Sequence, residues 1–284
     1  MPIVFIAGAT GYLGRFLCAE YRGRGWQVHA LVRDAKRAQD LAVDKVIEAE
    51  ATEPQALAGV MDGADLVISA LGITRQADGL GYWDVDYQAN LNLLHEAQRA
   101  HVPRFAYIHV LNAQQMRNVP LVAAKAAFVD ALQAAEIAST VVAPSGYFSD
   151  MGDFLKMARS GRVWLFGSGA LRINPIHGAD LAAATAAATD RGQDWLNVGG
   201  PDIFSQTDLA NAAFKALGKP AKITRLPDGL RRAALMLLPR LTPRRVHGPA
   251  QFFLTALAMD MVGPPCGKRH LDAHFAALAQ RPQQ

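Results

Sequence analysis

The first half of the chain alternates short apolar runs with longer stretches whose apolar residues recur every three or four positions. The short runs predict β-strands and the longer stretches predict helices. Strands that alternate with helices are typical of an α/β protein with a parallel sheet covered on both faces. The predicted strands are Ile3–Ala7, Val28–Val32, Lys45–Ile47, Leu66–Ala70, Phe105–His109 and Thr140–Ala143, and the predicted helices are Tyr12–Arg24, Ala35–Ala42, Gln55–Met61, Val85–Ala100 and Leu121–Ala135.

This alternation ends at Pro144. We predict a loop over Ser145–Ser149, a helix over Asp153–Ser160, and then a strand, a glycine-containing turn and an Ala-rich helix that begins near Asp180. Another strand is predicted over Trp195–Val198, and three or four helical stretches interrupted by prolines complete the chain. Because no repeat, low-complexity tract or long linker separates the two halves, the C-terminal part is expected to cap the same unit.

The composition is that of an ordinary globular protein, with 284 residues, 51% hydrophobic and 19% charged. The apolar runs fall far short of the ~18 residues that a membrane span needs, so no integral membrane segment is expected. No signal peptide is expected either, because the first strand starts at Ile3. Cys18 and Cys266 lack metal-type spacing, which favours free thiols in a reducing cytoplasm. No cluster of His, Cys and carboxylate residues suggests a metal.

Positive charge is concentrated in one segment. Residues Leu209–Gly248 carry nine Lys and Arg against one acid, Asp228, whereas the whole chain has a net charge of only +4. Such a segment could meet an anionic ligand, a membrane surface or a partner, and a solvated face beside an apolar core is equally consistent with it. We expect it on the substrate side of a ligand cleft rather than as a membrane anchor, although peripheral membrane contact stays open. No signature of nucleic-acid binding is present.

Gly8, Gly11 and Gly14 follow the first strand and open the first helix. A backbone without side chains can approach a pyrophosphate closely, and the start of a helix offers free N–H groups and the positive end of its dipole. The third glycine lets the helix lie close on the strand. A glycine triplet alone says little, but this one opens a βαβ unit, as a dinucleotide site requires. We therefore interpret it as a dinucleotide-binding loop rather than a structural turn.

The end of the second strand bears on the choice between NADP(H) and NAD(H). NADP sites place an arginine here for the 2′-phosphate, whereas NAD sites place a carboxylate for the ribose 2′-hydroxyl. Arg33 stands at this point, with Lys36 and Arg37 close by. Asp34 could instead be a displaced NAD carboxylate, and a solvated basic loop would need no ligand. We predict NADP(H) in preference to NAD(H).

Several stretches of the chain resemble one protein family. They are "GATGYLG", "ALVRD", "DGADLVISALG", "VDYQANLNLLHEA", "VPRFAYIHVL", "PLVAAKAAFVDAL" and "APSGYFSDM", which run from the N-terminus to about Met151, and "NPIHGADLA" extends the match. On these motifs the chain is identified as a member of the atypical and extended short-chain dehydrogenase/reductases, in their NmrA-like NAD(P)H-binding group.

The resemblance implies a Rossmann-type doubly wound parallel sheet in residues 1–150. It also implies a smaller, mostly helical substrate-binding part in residues 151–284, partly interleaved with the core in one structural unit. We expect a small-molecule substrate and a monomer or homodimer. The predicted cofactor-binding residues are Gly8, Thr10, Gly11, Tyr12, Leu13, Gly14, Arg33, Ala70, Leu71, Gly72, Lys125 and Ser145.

The catalytic helix departs from the family pattern. The family carries Y-x-x-x-K, whereas this chain has Leu121 four residues before Lys125, and His109 lies near the position of the usual serine. In the usual mechanism the tyrosine passes a proton, while the lysine lowers the tyrosine pKa and bonds the nicotinamide ribose. Lys125 can still bond the ribose. The family also often carries an acidic residue after the third strand, near the adenine, and Ala51 takes that place here.

Two residues could replace the missing tyrosine as the acid. His109 lies near the carboxyl end of its strand, where open α/β sheets bind ligands, and a histidine of ordinary pKa can donate a proton. A packed histidine bonded to the backbone is equally consistent with this position. Tyr147, in the loop after the sixth strand, is expected close to the nicotinamide. The predicted catalytic residues are therefore Lys125, Tyr147 and His109.

These observations predict an NADPH-dependent reductase of a small or lipophilic organic substrate, a carbonyl compound or an activated double bond. The alternative is a non-catalytic NADP(H)-binding protein, either a redox sensor or an assembly or regulatory factor, and Leu121 favours it. A third hypothesis is a membrane-surface or complex-associated subunit that uses the basic segment.

Overall fold

The computed structural model describes residues 1–73 and 79–280, and it describes the backbone but not the side chains of Arg244 and Arg245. The chain forms two compact units. The first unit consists of Met1–Ala143 and Leu181–Leu196, and the second consists of Pro144–Asp180 and Asn197–Gln284.

A seven-stranded sheet forms the centre of the α/β fold, with the strand order β3-β2-β1-β4-β5-β6-β9. The pairs among its first six strands are all parallel. This order places the topological switch between β1 and β4, and open α/β sheets bind ligands outside the carboxyl ends of the strands at that point. The strands are β1 Ile3–Ala7, β2 Gln27–Val32, β3 Lys45–Glu48, β4 Leu66–Ser69, β5 Arg104–Ile108, β6 Ala138–Pro144 and β9 Trp195–Val198.

Amphipathic helices cover this sheet, as the sequence predicts. Buried aromatic and aliphatic side chains pack between them, among them Phe5, Leu93, Phe105 and Phe128. The α-helices of the described residues, in both units, are α1 Tyr12–Gly23, α2 Asn90–Arg99, α3 Pro120–Ala134, α4 Gly152–Arg159, α5 Gly178–Asp190, α6 Gln206–Ala216, α7 Asp228–Leu241, α8 Arg244–Ala256 and α9 Leu271–Ala279.

Two of the predicted helices are wrong, because the chain forms only single 3-10 turns there. The turn Ala35–Ala38 buries Ala38 alone, so no apolar face is available to stabilise further helical turns. The turn Pro54–Leu57 is followed by Gly59 with φ +76°, a left-handed conformation that favours glycine and ends the helix.

The predicted helix Val85–Ala100 divides into two parts. A π-helical stretch runs over Trp83–Ala89, and α2 continues from it. A π-helical turn contains one residue more than an α-helical turn and is frequent at functional sites. It therefore shifts the side chains of its own segment relative to those of α2.

The second unit contains two small sheets around a separate apolar core. β7 (Val163–Phe166) pairs in parallel with β11 (Ile223–Leu226), and β8 (Arg172–Ile173) pairs antiparallel with β10 (Phe204–Ser205). Of these four strands the sequence predicts only β7. The core of this unit includes Phe148, Phe154, Leu209, Phe214 and Phe275. Within the described parts of the chain, no helix is both long enough and apolar enough to cross a bilayer.

Candidate cofactor site

The glycine loop lies at the topological switch of the sheet, where its backbone meets the segment after β4. Gly8 has φ +82°, and a Cβ atom there would lie 2.8 Å from the carbonyl carbon and oxygen of Ala70. A Cβ on Gly14 would lie 2.1 Å from the Gly8 carbonyl oxygen. Both positions therefore exclude side chains, and the tight turn is held by a 3.0 Å hydrogen bond from Gly11 N–H to Gly8 O.

The start of α1 offers backbone donors to an anion. Gly11 is the N-cap residue and has no side chain with which to cap the helix, and the first turn carries no acidic residue. The first N–H groups of a helix have no partner inside the helix, and they coincide with the positive end of its dipole. Tyr12 and Leu13 occupy the first two helical positions, and Leu13 is buried, so Leu13 can offer a ligand its backbone N–H but not its side chain.

An open cleft of about 230 Å³ extends from this loop along the ends of β2, β3 and β4. It brings together seven of the predicted cofactor-binding residues, namely Gly8, Thr10, Gly11, Arg33, Ala70, Leu71 and Gly72. The volume is below the ~300–1,000 Å³ of a pocket for a drug-sized ligand. It therefore suits one portion of a dinucleotide.

Arg33 and Asp34, the two residues that bear on cofactor choice, both line the cleft. The Asp34 carboxylate accepts a 2.9 Å hydrogen bond from Lys36 N–H and so caps the 3-10 turn after β2. This bond gives Asp34 a structural role. The Arg33 side chain is exposed, and Arg37, which also lines the cleft, adds a second positive charge.

The far side of the cleft contains residues that sequence analysis missed. Glu50 and Thr52 line it on either side of Ala51, so a carboxylate is present next to the position where the sequence shows an alanine. Asn92 of α2 holds this loop, because its amide donates to the carbonyl oxygens of Ala51 at 3.0 Å and Thr52 at 3.3 Å. A polar residue among the buried positions of an amphipathic helix is the sequence signal that could have identified Asn92.

Lys125 forms a buried ion pair with Asp86, another residue that sequence analysis missed. The distance between Lys125 Nζ and Asp86 Oδ1 is 3.2 Å, and the Asp86 side chain is fully buried. Asp86 Oδ2 accepts a 3.2 Å hydrogen bond from Ile73 N–H. Burial raises the pKa of Asp86, while the positive charge of Lys125 opposes that rise. The pair lies beside the cleft, because both Ile73 and the adjacent Gly72 line it.

Gly72 is a glycine for a reason that does not involve a ligand. A Cβ atom at this position would lie 2.6 Å from Asp86 Oδ1 and 3.0 Å from Lys125 Nζ. A side chain here would push the two charged groups away from the backbone. Gly72 therefore belongs to the predicted cofactor-binding segment and also lies against the ion pair of Asp86 and Lys125.

The Lys125 ammonium also contacts two carbonyl oxygens and a phenol. It lies 3.5 Å from Leu71 O, 3.3 Å from Ile108 O and 3.3 Å from the Tyr107 hydroxyl. Tyr107 is fully buried, and desolvation raises its pKa to about 12. Its hydroxyl therefore stays protonated near neutral pH.

At the position of the family tyrosine, Leu121 is buried near the start of α3. It supplies no ionisable group. The phenol that contacts Lys125 comes instead from β5, where Tyr107 has no exposed surface. The contact between a lysine and a tyrosine is thus kept, but this phenol is not accessible to a substrate.

The ordinary pKa that the sequence suggests for His109 is wrong. Desolvation lowers the pKa of His109 to about 3, and the charges of Lys125 and Arg117 add to this effect. The imidazole is therefore neutral near neutral pH. Its Nδ1 atom is buried and has no hydrogen-bond partner among the described residues, and its ring packs edge-on against Trp195 with ring centroids 6.0 Å apart.

The two remaining predicted residues, Tyr147 and Ser145, belong to the second unit. The backbone N–H of Tyr147 donates to Asp150 Oδ2 at 3.2 Å. Burial raises the pKa of this carboxyl group to about 6. The Ser145 hydroxyl donates to the Asn174 carbonyl oxygen at 2.6 Å, so its proton is already used in a bond within the unit. The roles of Tyr147 and Ser145 toward a cofactor stay predictions.

Comparison with known proteins identifies the family. The sequence profile of the NAD(P)H-binding family matches residues 8–190, which include the glycine loop, the cleft and Lys125. The chain therefore belongs to this family, and its resemblance to the atypical short-chain dehydrogenase/reductases is confirmed. The same match confirms a nicotinamide dinucleotide as the cofactor of the family.

Similar proteins include both reductases and an assembly factor. The chain is 28% identical to divinyl chlorophyllide a 8-vinyl-reductase of Zea mays, over 83% of this chain and 64% of that protein. It is 30% identical to ceramide reductase of Caulobacter vibrioides, over 80% of this chain and 74% of that protein. It is 23% identical to photosystem II assembly factor Ycf39 of Cyanophora paradoxa, over 79% of this chain and 71% of that protein. The chain thus spans less than two thirds of the length of the maize relative.

The fold is also that of a solved oxidoreductase. The NADPH-dependent quinone oxidoreductase QOR2 from Escherichia coli, in complex with NADPH, superposes with a TM-score of 0.77. The alignment covers 97% of this chain and 99% of that chain at 20% sequence identity. The predicted Rossmann-type fold is confirmed by this similarity and by the sheet order.

Proposed function

We propose that this protein is an NADPH-dependent reductase of a small or lipophilic organic substrate, with a carbonyl group or an activated double bond as the reducible group. The observation that carries the proposal is the cleft in which the glycine loop and Arg33 lie together. Because Asp34 caps the turn after β2, we assign the contact with the ribose to Arg33, which lines the cleft, and an arginine favours the 2′-phosphate of NADP(H).

When bound, NADPH supplies a hydride. The residues of this chain would bind and orient it. The N–H groups at the start of α1 would bind the diphosphate, and Arg33 would bind the 2′-phosphate in a charge-assisted hydrogen bond. Lys125 would donate to the hydroxyls of the nicotinamide ribose, with Asp86 fixing the position of its ammonium group 3.2 Å away.

The reduced substrate also needs a proton, and the first unit offers few donors. Leu121 has no proton to give, His109 is neutral near pH 7, and Tyr107 is buried with a pKa of about 12. Tyr147 is therefore our proposed acid, with water as its substitute. A phenol can deliver a proton to a developing oxyanion or carbanion when it lies within hydrogen-bond reach of the reacting atom.

The relatives support the substrate class. The names of the maize and Caulobacter relatives refer to the reduction of a chlorophyllide vinyl group and of a ceramide. Chlorophyllides and ceramides are both large lipophilic molecules. We therefore propose a lipophilic substrate for this chain in preference to a small polar one.

A second candidate function is a non-catalytic NADP(H)-binding sensor or assembly factor. Leu121 favours it, because the residue that would pass the proton is replaced by a buried aliphatic side chain. The pairing of Lys125 with Asp86 is consistent with it too, since a buried ion pair can be purely structural. The similarity to the assembly factor Ycf39 adds support.

Turnover distinguishes the two candidates. Purified protein is mixed with NADPH and, separately, with a long-chain aldehyde, a long-chain enone and a lipophilic quinone, and the loss of NADPH absorbance is followed. The reductase proposal expects turnover with at least one of them and a large decrease in kcat in Tyr147→Phe, with unchanged NADPH affinity. Tyr87→Phe, which removes a half-buried phenol hydroxyl from the π-helical stretch, is the matched control. Tight NADPH binding without hydride transfer to any acceptor would favour the sensor.

A further inference from the structure

Helix α7 carries a row of exposed apolar residues. Leu230, Leu237 and Leu241 are seven and four residues apart, a spacing that places them on one face of a helix. Their exposures are 52%, 48% and 75%, and the adjacent Met236 is 64% exposed. Large apolar side chains this exposed on consecutive turns are only partly covered by the described residues of the chain.

A different side of α7 packs against α8. Arg231 is buried there, and its guanidinium donates to Asp228 and to the carbonyl oxygen of Leu254 on α8, 3.1 Å away. Leu235 and Leu238, on the same side, are partly buried. Because α8 covers this side, the row of Leu230, Leu237 and Leu241, about 100° around the helix from Arg231, stays exposed.

The exposed apolar residues are concentrated in one segment of the chain. Of the eleven large apolar side chains described as exposed, five lie between residues 230 and 246. Single exposed apolar residues are normal on a protein surface, but a contiguous patch marks an interaction site. The five are Leu230, Met236, Leu237, Leu241 and Val246.

Arginines border this apolar row. Arg232, Met236 and Arg240 are each four residues apart and form the adjacent row on the helix surface. Arg240 bonds the Met236 carbonyl oxygen at 2.7 Å and has no carboxylate partner among the described residues. Arg232 pairs with Asp228, the single acid of the basic segment. An apolar face bordered by basic residues is the pattern of a helix that lies in a membrane interface.

We propose that the outer face of α7, defined by Leu230, Arg232, Met236, Leu237, Arg240 and Leu241, docks on the surface of an anionic lipid bilayer. The leucines and Met236 enter the boundary between headgroups and acyl chains, and the arginines contact lipid phosphates. A second copy of this chain is a poorer occupant, because a two-fold contact would place the same arginines opposite each other. The sequence leaves peripheral membrane contact open for the basic segment, and this inference assigns that contact to α7; it does not depend on the proposed reductase activity.

Co-sedimentation with vesicles tests the proposal. The protein, without cofactor or substrate, is mixed with vesicles of phosphatidylglycerol and phosphatidylcholine in equal parts, or of phosphatidylcholine alone. We expect binding to the anionic vesicles only, and weaker binding at ~1 M salt than at ~0.1 M salt because screening shortens the reach of the charges. Leu237→Glu should weaken binding about tenfold or more, and Arg240→Glu several-fold.

Ile203→Glu is the matched control, because Ile203 is an apolar residue of the second unit with 47% exposure and lies outside the α7 face. It should bind as the unmodified protein does. Binding that is absent, or equal in Leu237→Glu and Ile203→Glu, would overturn the proposal. Size-exclusion chromatography tests the alternative occupant. A dimer that dissociates in Leu237→Glu would show that a second copy of this chain occupies the face, and this result would also overturn the proposal.

Discussion

The carboxylate of Asp86 lies 3.2 Å from the ammonium group of Lys125, with the aspartate fully buried and the lysine side chain 14% exposed. The two residues come from the π-helical stretch and from α3. The lysine of the family motif is therefore held by a partner that the motif itself does not contain. This relationship connects the stability of the first unit to the position of a predicted cofactor-binding group.

Removing either charge alone should be costly. In Asp86→Asn the Lys125 ammonium loses its counter-charge in a buried environment, which should lower the free energy of unfolding by about 3–5 kcal/mol. The double variant Asp86→Asn/Lys125→Met should recover part of this loss, because no unpaired charge remains. Urea denaturation of the two single variants and the double variant measures this coupling. Strictly additive effects would mean that the contact carries no coupling energy.

Gly72→Ala should disturb the same pair from the backbone side. The new methyl group would lie 2.6 Å from Asp86 Oδ1, so the carboxylate must move, at a cost of about 1–3 kcal/mol. Gly152→Ala is the control, since nothing lies within 4 Å of a Cβ there and the position begins α4. The control should change stability by less than about 0.5 kcal/mol or increase it slightly. Equal thermal stability of the two variants would show that Gly72 is not constrained by the ion pair.

The pKa of His109 predicts an acid-sensitive stability. Burial lowers this pKa from 6.5 to about 3 in the folded chain. Below about pH 6.5 the imidazole binds a proton in the unfolded chain but not in the folded chain. The contribution of neutral His109 to the free energy of unfolding is therefore complete above that pH and is lost as the pH falls toward 3. The loss between about pH 7 and pH 5 is about 2 kcal/mol.

His109→Gln separates this contribution from that of the other titrating groups. Between about pH 7 and pH 5, the free energy of unfolding of this variant should decrease by about 2 kcal/mol less than that of the unmodified protein. Urea denaturation at each pH measures both decreases. Parallel pH profiles for the two proteins would mean that His109 is solvated, and it would then be a stronger candidate acid.

The fold and half of the candidate site follow from local sequence patterns. The alternation of apolar runs predicts the sheet, and the glycine loop and Arg33 are recognisable because their function depends on residues adjacent in sequence. Asp86 is not recognisable in this way, because its partner Lys125 comes from a distant helix and the π-helical stretch that positions it has no sequence signature. Its one signal is that Asp86 and Asn90 are polar residues on the apolar face of a predicted helix.

The second unit was predicted less well. The strands β8, β10 and β11 are two to four residues long, and such short runs are stabilised by pairing with distant segments rather than by their own periodicity. The exposed row of α7 was also missed. Leucines at helical spacing indicate an apolar face, but only the packing of α8 against Arg231 shows which face stays in solvent.

Calorimetric titration of NADPH and NADH is the most direct test of the central claim that the cleft between the glycine loop and Arg33 is an NADP(H) site. NADPH should bind more tightly by about 1.5–3 kcal/mol, the worth of a charge-assisted contact to the 2′-phosphate, and Arg33→Ala should abolish this preference. Gly11→Asp keeps an N-cap residue for α1 but adds a negative charge at the loop and places a Cβ 3.2 Å from the Gly8 carbonyl oxygen, so it should bind neither cofactor well. Equal affinities for the two cofactors, or an unchanged preference in Arg33→Ala, would contradict the account.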